Sequence, residues 1–472
     1  MSFKSGSTVA LLALLLNANN TFSSEVKLSP SDFWTKTQKD FNILGNTHSF
    51  CYQDENGKIQ GVNPHMKVRL ASVSKLYTTL WAIDKLGSDF EYESKFHYDG
   101  KNLHIEGSLD PVYSDRKLFF IISQLNNLGI KEIETLSFDK NLNVFTRAEW
   151  YSGVIIKMTP ERTKQNLKDF LNTSTWNRLK QAYKNFVAAT PDTIIDELQI
   201  RKDLDDIELK VKEVKFVEKN PMENRPETYQ VYSHLSPIMA KYLKVMNVRS
   251  NNYYADQIFD KLGGMQEFNK YYNELVEETY PNYETMRKGF LKGEATVQFQ
   301  TGSGLDSKKD GSRFDNYSTC AITLEMVKKL KIKIEEQEKE VKKIVAVPGT
   351  DLGTFRKRLR GERTKNSMLL KTGTLRNTSA LAGILKSKNL ENIYFGVFHQ
   401  LTGWKGNAKM VQNKMAIKLI DHYGGPNNFE YSGEFFFPAK EIFHEKKASE
   451  LKDHNIKLPT GSTEKEKTTK HI

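Results

Sequence analysis

Cysteine is almost missing from this chain. Of 472 residues only Cys51 and Cys320 are cysteine, which excludes a disulfide-rich scaffold, a cysteine-rich zinc site and an iron–sulfur centre. Two free thiols are expected, with a single bridge as the alternative. Histidine is sparse and badly spaced for metal: ten His with no His-x-x-His or His-Glu-x-x-His pattern remove a zinc peptidase, and no metal or other cofactor is expected. Long hydrophobic runs are lacking as well. The run Val9 to Leu16 has eight apolar residues, whereas a bilayer crossing needs about 20. With Lys4 before it and Asn17, Ala18, Asn19, Asn20 and a Ser-rich stretch after it, the run matches the core of a secretory signal peptide ending at Ala18 or Ser24. A buried N-terminal helix is the alternative. No Cys follows the run to carry a lipid anchor, so a soluble protein is expected after cleavage.

Aromatic residues, by contrast, are plentiful, at 11% with 27 Phe and 20 Tyr. They supply the apolar surface for a real core, which disordered chains lack. The length implies two or three domains, or one domain carrying a large insertion. The net charge of +12 comes from 70 Lys+Arg against 58 Asp+Glu. These cations are dispersed and no basic, aromatic-interleaved recognition motif accompanies them, so a nucleic-acid partner is not expected. Electrostatic contact with an anionic surface is all the charge supports. The last 27 residues, Lys446 to Ile472, hold seven lysines against four acidic residues and read as a disordered basic tail.

Periodicity then orders the rest. Ser49 to Tyr52 and Lys58 to Val62 form a hairpin around Asp54-Glu55-Asn56-Gly57, since Asn-Gly favours a tight hairpin turn. From Ser72, the residues Val73, Leu76, Tyr77, Leu80, Ile83 and Leu86 recur at spacings of three and four, with Gly87 as a stop. That pattern is a helix apolar on most faces, hence central and buried. A hairpin over Glu91 to Gly107, a helix over Leu118 to Leu128 and a strand over Ile133 to Asp139 follow. Next come a polar helical stretch from Thr159 to Ala188, strands through Ile207, Leu209, Val211 and through Val214, Phe216, and apolar helix from Ser236 broken at Arg249 to Asn252. Strands Met368 to Lys371, Ala380 to Ile384 and Ile393 to His399 and a helix from Ala408 to Tyr423 close the pattern. Strands at both ends with helices between them make one α/β domain split by an insertion.

Three short motifs occur in fixed order: Ser72-Val73-Ser74-Lys75, Ser250-Asn251-Asn252 and Lys371-Thr372-Gly373. Ser-x-x-Lys alone means little, because the chain holds five other matches, at Ser24, Ser114, Ser137, Ser449 and Ser462. Ser72 differs in opening an apolar helix, which puts Lys75 on the same face one turn later. Burial there would lower the Lys75 pKa and let the amine take the Ser72 proton. Ser250-x-Asn252 sits at a break between two apolar helices, where both side chains can enter a cleft. Lys371 follows a short strand, with Thr372 and Thr374 beside it and Gly373 allowing close backbone approach. A lysine aimed outward from that strand suits a substrate carboxylate.

The combination Ser-x-x-Lys, Ser-x-Asn and Lys-Thr-Gly is that of penicillin-binding proteins and serine β-lactamases. Further segments extend the likeness: Leu70-Ala71-Ser72, Gly107-Ser108-Leu109-Asp110-Pro111, Ser250-Asn251-Asn252-Tyr253-Tyr254-Ala255-Asp256, Gly302-Ser303-Gly304-Leu305, Val347-Pro348-Gly349-Thr350 and Lys371-Thr372-Gly373-Thr374-Leu375, followed by Leu381-Ala382-Gly383. With them the chain resembles the class C low-molecular-mass penicillin-binding proteins, the D-alanyl-D-alanine carboxypeptidase/endopeptidase family, over most of residues 45 to 425. The 178-residue gap from Ser72 to Ser250 fits that family's inserted domain. Residues 141 to 225 match poorly, and a further small domain of the longest relatives is expected to be missing. Asn251 stands where many relatives have Asp.

The resemblance implies an α/β transpeptidase fold like that of the serine β-lactamases, an antiparallel sheet with helices on both faces, carrying an inserted mixed α+β domain. The corresponding division is a signal peptide over 1–24, the split peptidase domain over 25–88 and 231–445, the insertion over 89–230 and the tail over 446–472. It implies Ser72 as nucleophile, Lys75 as general base, Ser250 and Asn252 as proton relay and orienting amide, and Lys371, Thr372, Gly373 and Thr374 as the cradle of the substrate carboxylate. The backbone N–H groups of Ser72 and Thr374 would form the oxyanion hole. Implied partners are peptidoglycan muropeptides and β-lactam antibiotics as covalent inhibitors, with an electrostatic contact to the anionic cell wall, and the implied location is the periplasm. A serine β-lactamase, which would differ by fast deacylation, and a non-catalytic peptidoglycan- or penicillin-binding module are the competing readings.

Overall fold

The computed structural model describes residues 28–446, apart from 147–156, 172, 225–228, 280–289, 292, 306, 310, 311, 441 and 442. The expected signal segment 1–24 lies outside the described residues, as does the tail beyond Lys446.

Two sheets carry the fold. The first has five strands, built from β1 (Ser49–Gln53), β2 (Ile59–Val62), β12 (Met368–Leu375), β13 (Thr378–Leu385) and β14 (Ile393–Gln400). Its order is β12-β13-β14-β1-β2, and every pairing is antiparallel. Strands from both ends of the sequence therefore meet in one sheet. β13 and β14 are buried at every residue, which is why they read as continuous apolar runs rather than alternating ones. On one face lie α1 (Pro30–Asp40) and the helix Lys405–His422, sharing a core of Trp34, Phe50, Leu370, Val411, Met415 and Leu419. On the other lie the helices Ser74–Lys85 and Cys320–Glu335. There Leu76, Leu80, Ile322, Leu330 and Ala382 belong to the largest core.

The second sheet is mixed. It adds β4 (Glu93–Tyr98), β5 (Leu103–Glu106), β6 (Glu132–Phe138), β7 (Lys210–Phe216), β8 (Gln230–Leu235) and β15 (His444–Glu445) in the order β15-β8-β4-β5-β6-β7. The β5–β6 and β6–β7 pairs are parallel, and the helix Asp115–Asn127 makes the crossover between β5 and β6. This sheet has its own core around Phe96, Phe119, Phe120, Phe138 and Tyr183.

Several sequence expectations change. Cys51 and Cys320 are not two free thiols but a disulfide, because β1 and the helix beginning at Cys320 pack face to face. The polar helical stretch after Thr159 is two helices, Pro160–Phe170 and Thr173–Ala188. Ile207 and Leu209 are buried in irregular chain, and only Lys210–Phe216 is strand. The second sheet also takes strands from beyond 89–230, in β8 and β15. Lys446 is anchored, its N–H bonded to the Val231 carbonyl and its ammonium to Glu93.

Candidate active site

Ser72 does not sit in the α-helix. It lies in a 3₁₀ turn, Ala71–Val73, that leads into the helix Ser74–Lys85. Ala71 has φ of 48°, a left-handed conformation that costs a non-glycine residue about 1 kcal/mol or more and collects at functional sites. The turn projects Ser72 from an otherwise buried segment while Lys75, three residues on, has no exposed surface. The Lys75 ammonium donates to Ser72 Oγ at 3.0 Å, Asn252 Oδ1 at 2.8 Å and the Ser303 carbonyl at 2.7 Å. Among the described residues no carboxylate bonds to it. Burial pulls its pKa from 10.5 down to about 7, against the charge of Asp256, and so favours the neutral amine.

The second motif is placed by helix capping. The helix Met239–Arg249 ends on Ser250 in the left-handed conformation, φ 55° and ψ 42°. Asn251 then caps the next helix, Asn252–Lys261, by accepting the Tyr254 N–H at 2.9 Å. The middle position of the motif is thus a helix N-cap, a place that Asn and Asp fill equally well. Asn252 and Ser250 are left half-buried and turned toward the two lysines.

The strand of the third motif runs longer than its expected end at Lys371. β12 stays paired with β13 through Leu375, so Lys371-Thr372-Gly373-Thr374 lies on a sheet edge. Nor does Lys371 point outward. It has no exposed surface, and its ammonium donates to Ser250 Oγ at 2.8 Å and to the Thr372 carbonyl at 2.9 Å. Burial first, then the charge of Lys75, hold its pKa well below 10.5. Thr372 is half-buried and Thr374 exposed. A Cβ at Gly373 would stand 2.7 Å from the Leu70 carbonyl and 3.1 Å from Ala71 Cβ. Only glycine lets this edge lie against the Ser72 turn.

Two contributors escaped the reading of the sequence. Ser303 supplies the carbonyl on Lys75, and Asp256 Oδ1 accepts the Ser303 N–H at 2.8 Å. Their signal was present as Gly302-Ser303-Gly304 and as an acid four residues after Asn252. Both glycines are needed for contact: a Cβ at Gly302 would stand 2.4 Å from the Ala255 carbonyl, and one at Gly304 2.0 Å from the Ala71 carbonyl. Among the other Ser-x-x-Lys matches, Ser114 also opens a buried helix. There, however, Lys117 is clamped by the buried carboxylate of Asp110, which Tyr242 OH also engages at 2.8 Å. An ammonium locked to a carboxylate makes a poor base.

The geometry agrees with the comparisons. The model of the D-Ala-D-Ala carboxypeptidase 3 (S13) family matches residues 52–149 and 209–419. No curated protein matches the sequence significantly. Among solved structures, the chain is similar to Bd3459, a predatory peptidoglycan endopeptidase from Bdellovibrio bacteriovorus, at 25% identity and TM-score 0.71, covering 84% of this chain and 98% of that one. Penicillin G acylated Bd3459, in complex with the immunity protein Bd3460, gives 25% identity and TM-score 0.68 over 84% and 99%. Penicillin-binding protein 4 (dacB) of Haemophilus influenzae shares the fold at 17% identity and TM-score 0.55 over 84% and 100%. All three motifs fall within the matched residues, which make up more than half of the sequence, and the chain belongs to the D-Ala-D-Ala carboxypeptidase 3 (S13) family.

Proposed function

We propose that this chain is a periplasmic serine DD-peptidase that removes terminal D-alanine from peptidoglycan stem peptides and cuts the cross-links between them through an acyl-enzyme on Ser72. The observation that carries it is the buried Lys75, 3.0 Å from Ser72 Oγ with no carboxylate among the described residues bonded to it to hold its proton. Lys75 as free amine takes the Ser72 proton while Oγ attacks the carbonyl of the penultimate D-alanine. The tetrahedral oxyanion is received by the backbone N–H groups of Ser72 and Thr374, which the close approach of Gly373 to the Ser72 turn brings near one another. On collapse the C–N bond breaks and the departing amine collects a proton through Ser250, whose hydroxyl is already held by Lys371. Asn252 orients Lys75 and the substrate amide. Water then hydrolyses the ester by the reverse proton path. The terminal carboxylate lies on Thr372 and Thr374, with Lys371 beneath supplying charge.

A β-lactam enters the same sequence and stops at the ester, because its ring fragment stays in place and blocks water. The wall polymer also offers the dispersed cations an anionic surface, an attraction screened over about 10 Å at 0.1 M salt. Digestion of purified muropeptides tests the reading. Free D-alanine from pentapeptides and monomers from cross-linked dimers are expected. Steady penicillin turnover with neither product would instead identify a β-lactamase.

A further inference from the structure

We propose that Asp256 is a positioning residue of the reaction, holding the Ser303 peptide against Lys75 and serving as the counter-charge of that amine. This rests on the peptidase reading and adds a group outside its three motifs. Asp256 stands one turn after Asn252 on the helix Asn252–Lys261, so both side chains face the same way. Its Oδ1 accepts the Ser303 N–H at 2.8 Å, and the carbonyl of that same residue accepts from Lys75 at 2.7 Å. The peptide is closely packed on both sides: a Cβ at Gly302 would stand 2.4 Å from the Ala255 carbonyl and one at Gly304 2.0 Å from the Ala71 carbonyl. Asn316 ties it from behind, donating to the Thr301 carbonyl at 2.7 Å and to Ser74 Oγ at 3.0 Å.

The chain holds its own contrast. Lys117 meets Asp110 directly, and that bonded charge opposes the lowering of its pKa by burial. Asp256 has no direct hydrogen bond to Lys75 and reaches it through a peptide. It therefore stabilises the ammonium that forms when the Ser72 proton moves to Nζ, yet leaves the amine free to receive it. Burial raises the Asp256 carboxyl to about 6, opposed first by Lys75, so the two groups titrate against each other. The other charges that bear on them are Lys371, which is itself held down by the Lys75 charge, and Asp260, which raises Asp256 and is countered by Lys157.

The test is the titration of Lys75 in full-length protein labelled with 13Cε-lysine, its resonance identified by loss in Lys75→Met. The rate of penicillin acylation is measured over the same pH range. Asp256→Asn keeps the shape and an oxygen for the Ser303 N–H but removes the charge. Without a nearby negative charge the ammonium is less stable, so the midpoint and the acidic limb of acylation both move to lower pH, by about one unit. Asp256→Glu returns both toward the wild type. In the wild type alone, the Lys75 curve should be broader than a one-proton titration. A reduced Tm in Asp256→Asn with the midpoint unmoved, or a simple one-proton curve in the wild type, overturns the proposal. Absence of penicillin acylation in the wild type would instead sink the peptidase reading, while the lysine titration still tests Asp256.

Discussion

Lys75 and Lys371 both lie without exposed surface, and among the described residues their hydrogen-bond partners are hydroxyl, amide and carbonyl oxygens rather than carboxylates. A buried cation with no carboxylate in direct contact is costly, and the cost falls when an anion arrives. On the proposed function, that anion is for Lys371 the substrate carboxylate, lying across Ser250 and the two threonines. Replacing Lys371 with Ala should raise KM for a pentapeptide and slow penicillin acylation. The loss of a charge-assisted contact, about 1.5–3 kcal/mol, corresponds to roughly 10- to 150-fold in kcat/KM. Because the buried charge is itself destabilising, Tm should hold or rise. Unchanged kcat/KM in a folded Lys371→Ala would remove this lysine from the carboxylate site.

At the scale of elements, the disulfide between Cys51 and Cys320 ties β1 to the helix Cys320–Glu335 across 269 residues of sequence. Cross-links over long loops stabilise mainly by restricting the unfolded chain, by about 2–4 kcal/mol. The double variant Cys51→Ala, Cys320→Ala should lower the denaturation midpoint accordingly while leaving the acylation rate unchanged, since neither sulfur touches the site. An unchanged midpoint would show that the bridge contributes nothing. Two isolated cysteines carry no sign of their spacing in the fold, and that is why free thiols were the expectation. The elements around the site were legible where period and turn chemistry agreed. The hairpin at Asn56-Gly57 and the apolar helix after Ser72 are examples. Less legible were features set by distant backbone. Nothing in an alanine marks Ala71 for a positive φ, and the polar run Thr372 to Thr374 hides a strand edge that only its register with Leu381 to Ser379 reveals. Motif spacing singled out Ser72, Lys75, Ser250, Asn252 and Lys371 as candidates, and the structure brings these five together. The Ser303 carbonyl was missed because a backbone acceptor has no letter in a sequence.

The whole molecule brings one set of bonded side chains together from distant stretches of chain. The second sheet is seated on the catalytic unit partly through Tyr242, whose hydroxyl donates to Asp110. Tyr242 lies on the helix that ends at Ser250, so the packing of the inserted segment and the placement of Ser250 share one element. Val112 and Phe145, from the inserted stretch, join Tyr242, Leu76 and Trp81 in the largest core. On the proposed function, this assembly forms and then hydrolyses an ester on Ser72. The most direct measurement is the intact mass of the full chain after exposure to penicillin G, followed over hours beside Ser72→Ala. The wild type should gain one penicilloyl group and keep it for minutes or longer, and the folded Ser72→Ala should gain none. A penicilloyl mass on Ser72→Ala, or no adduct on a wild type that also leaves muropeptides uncut, would contradict it.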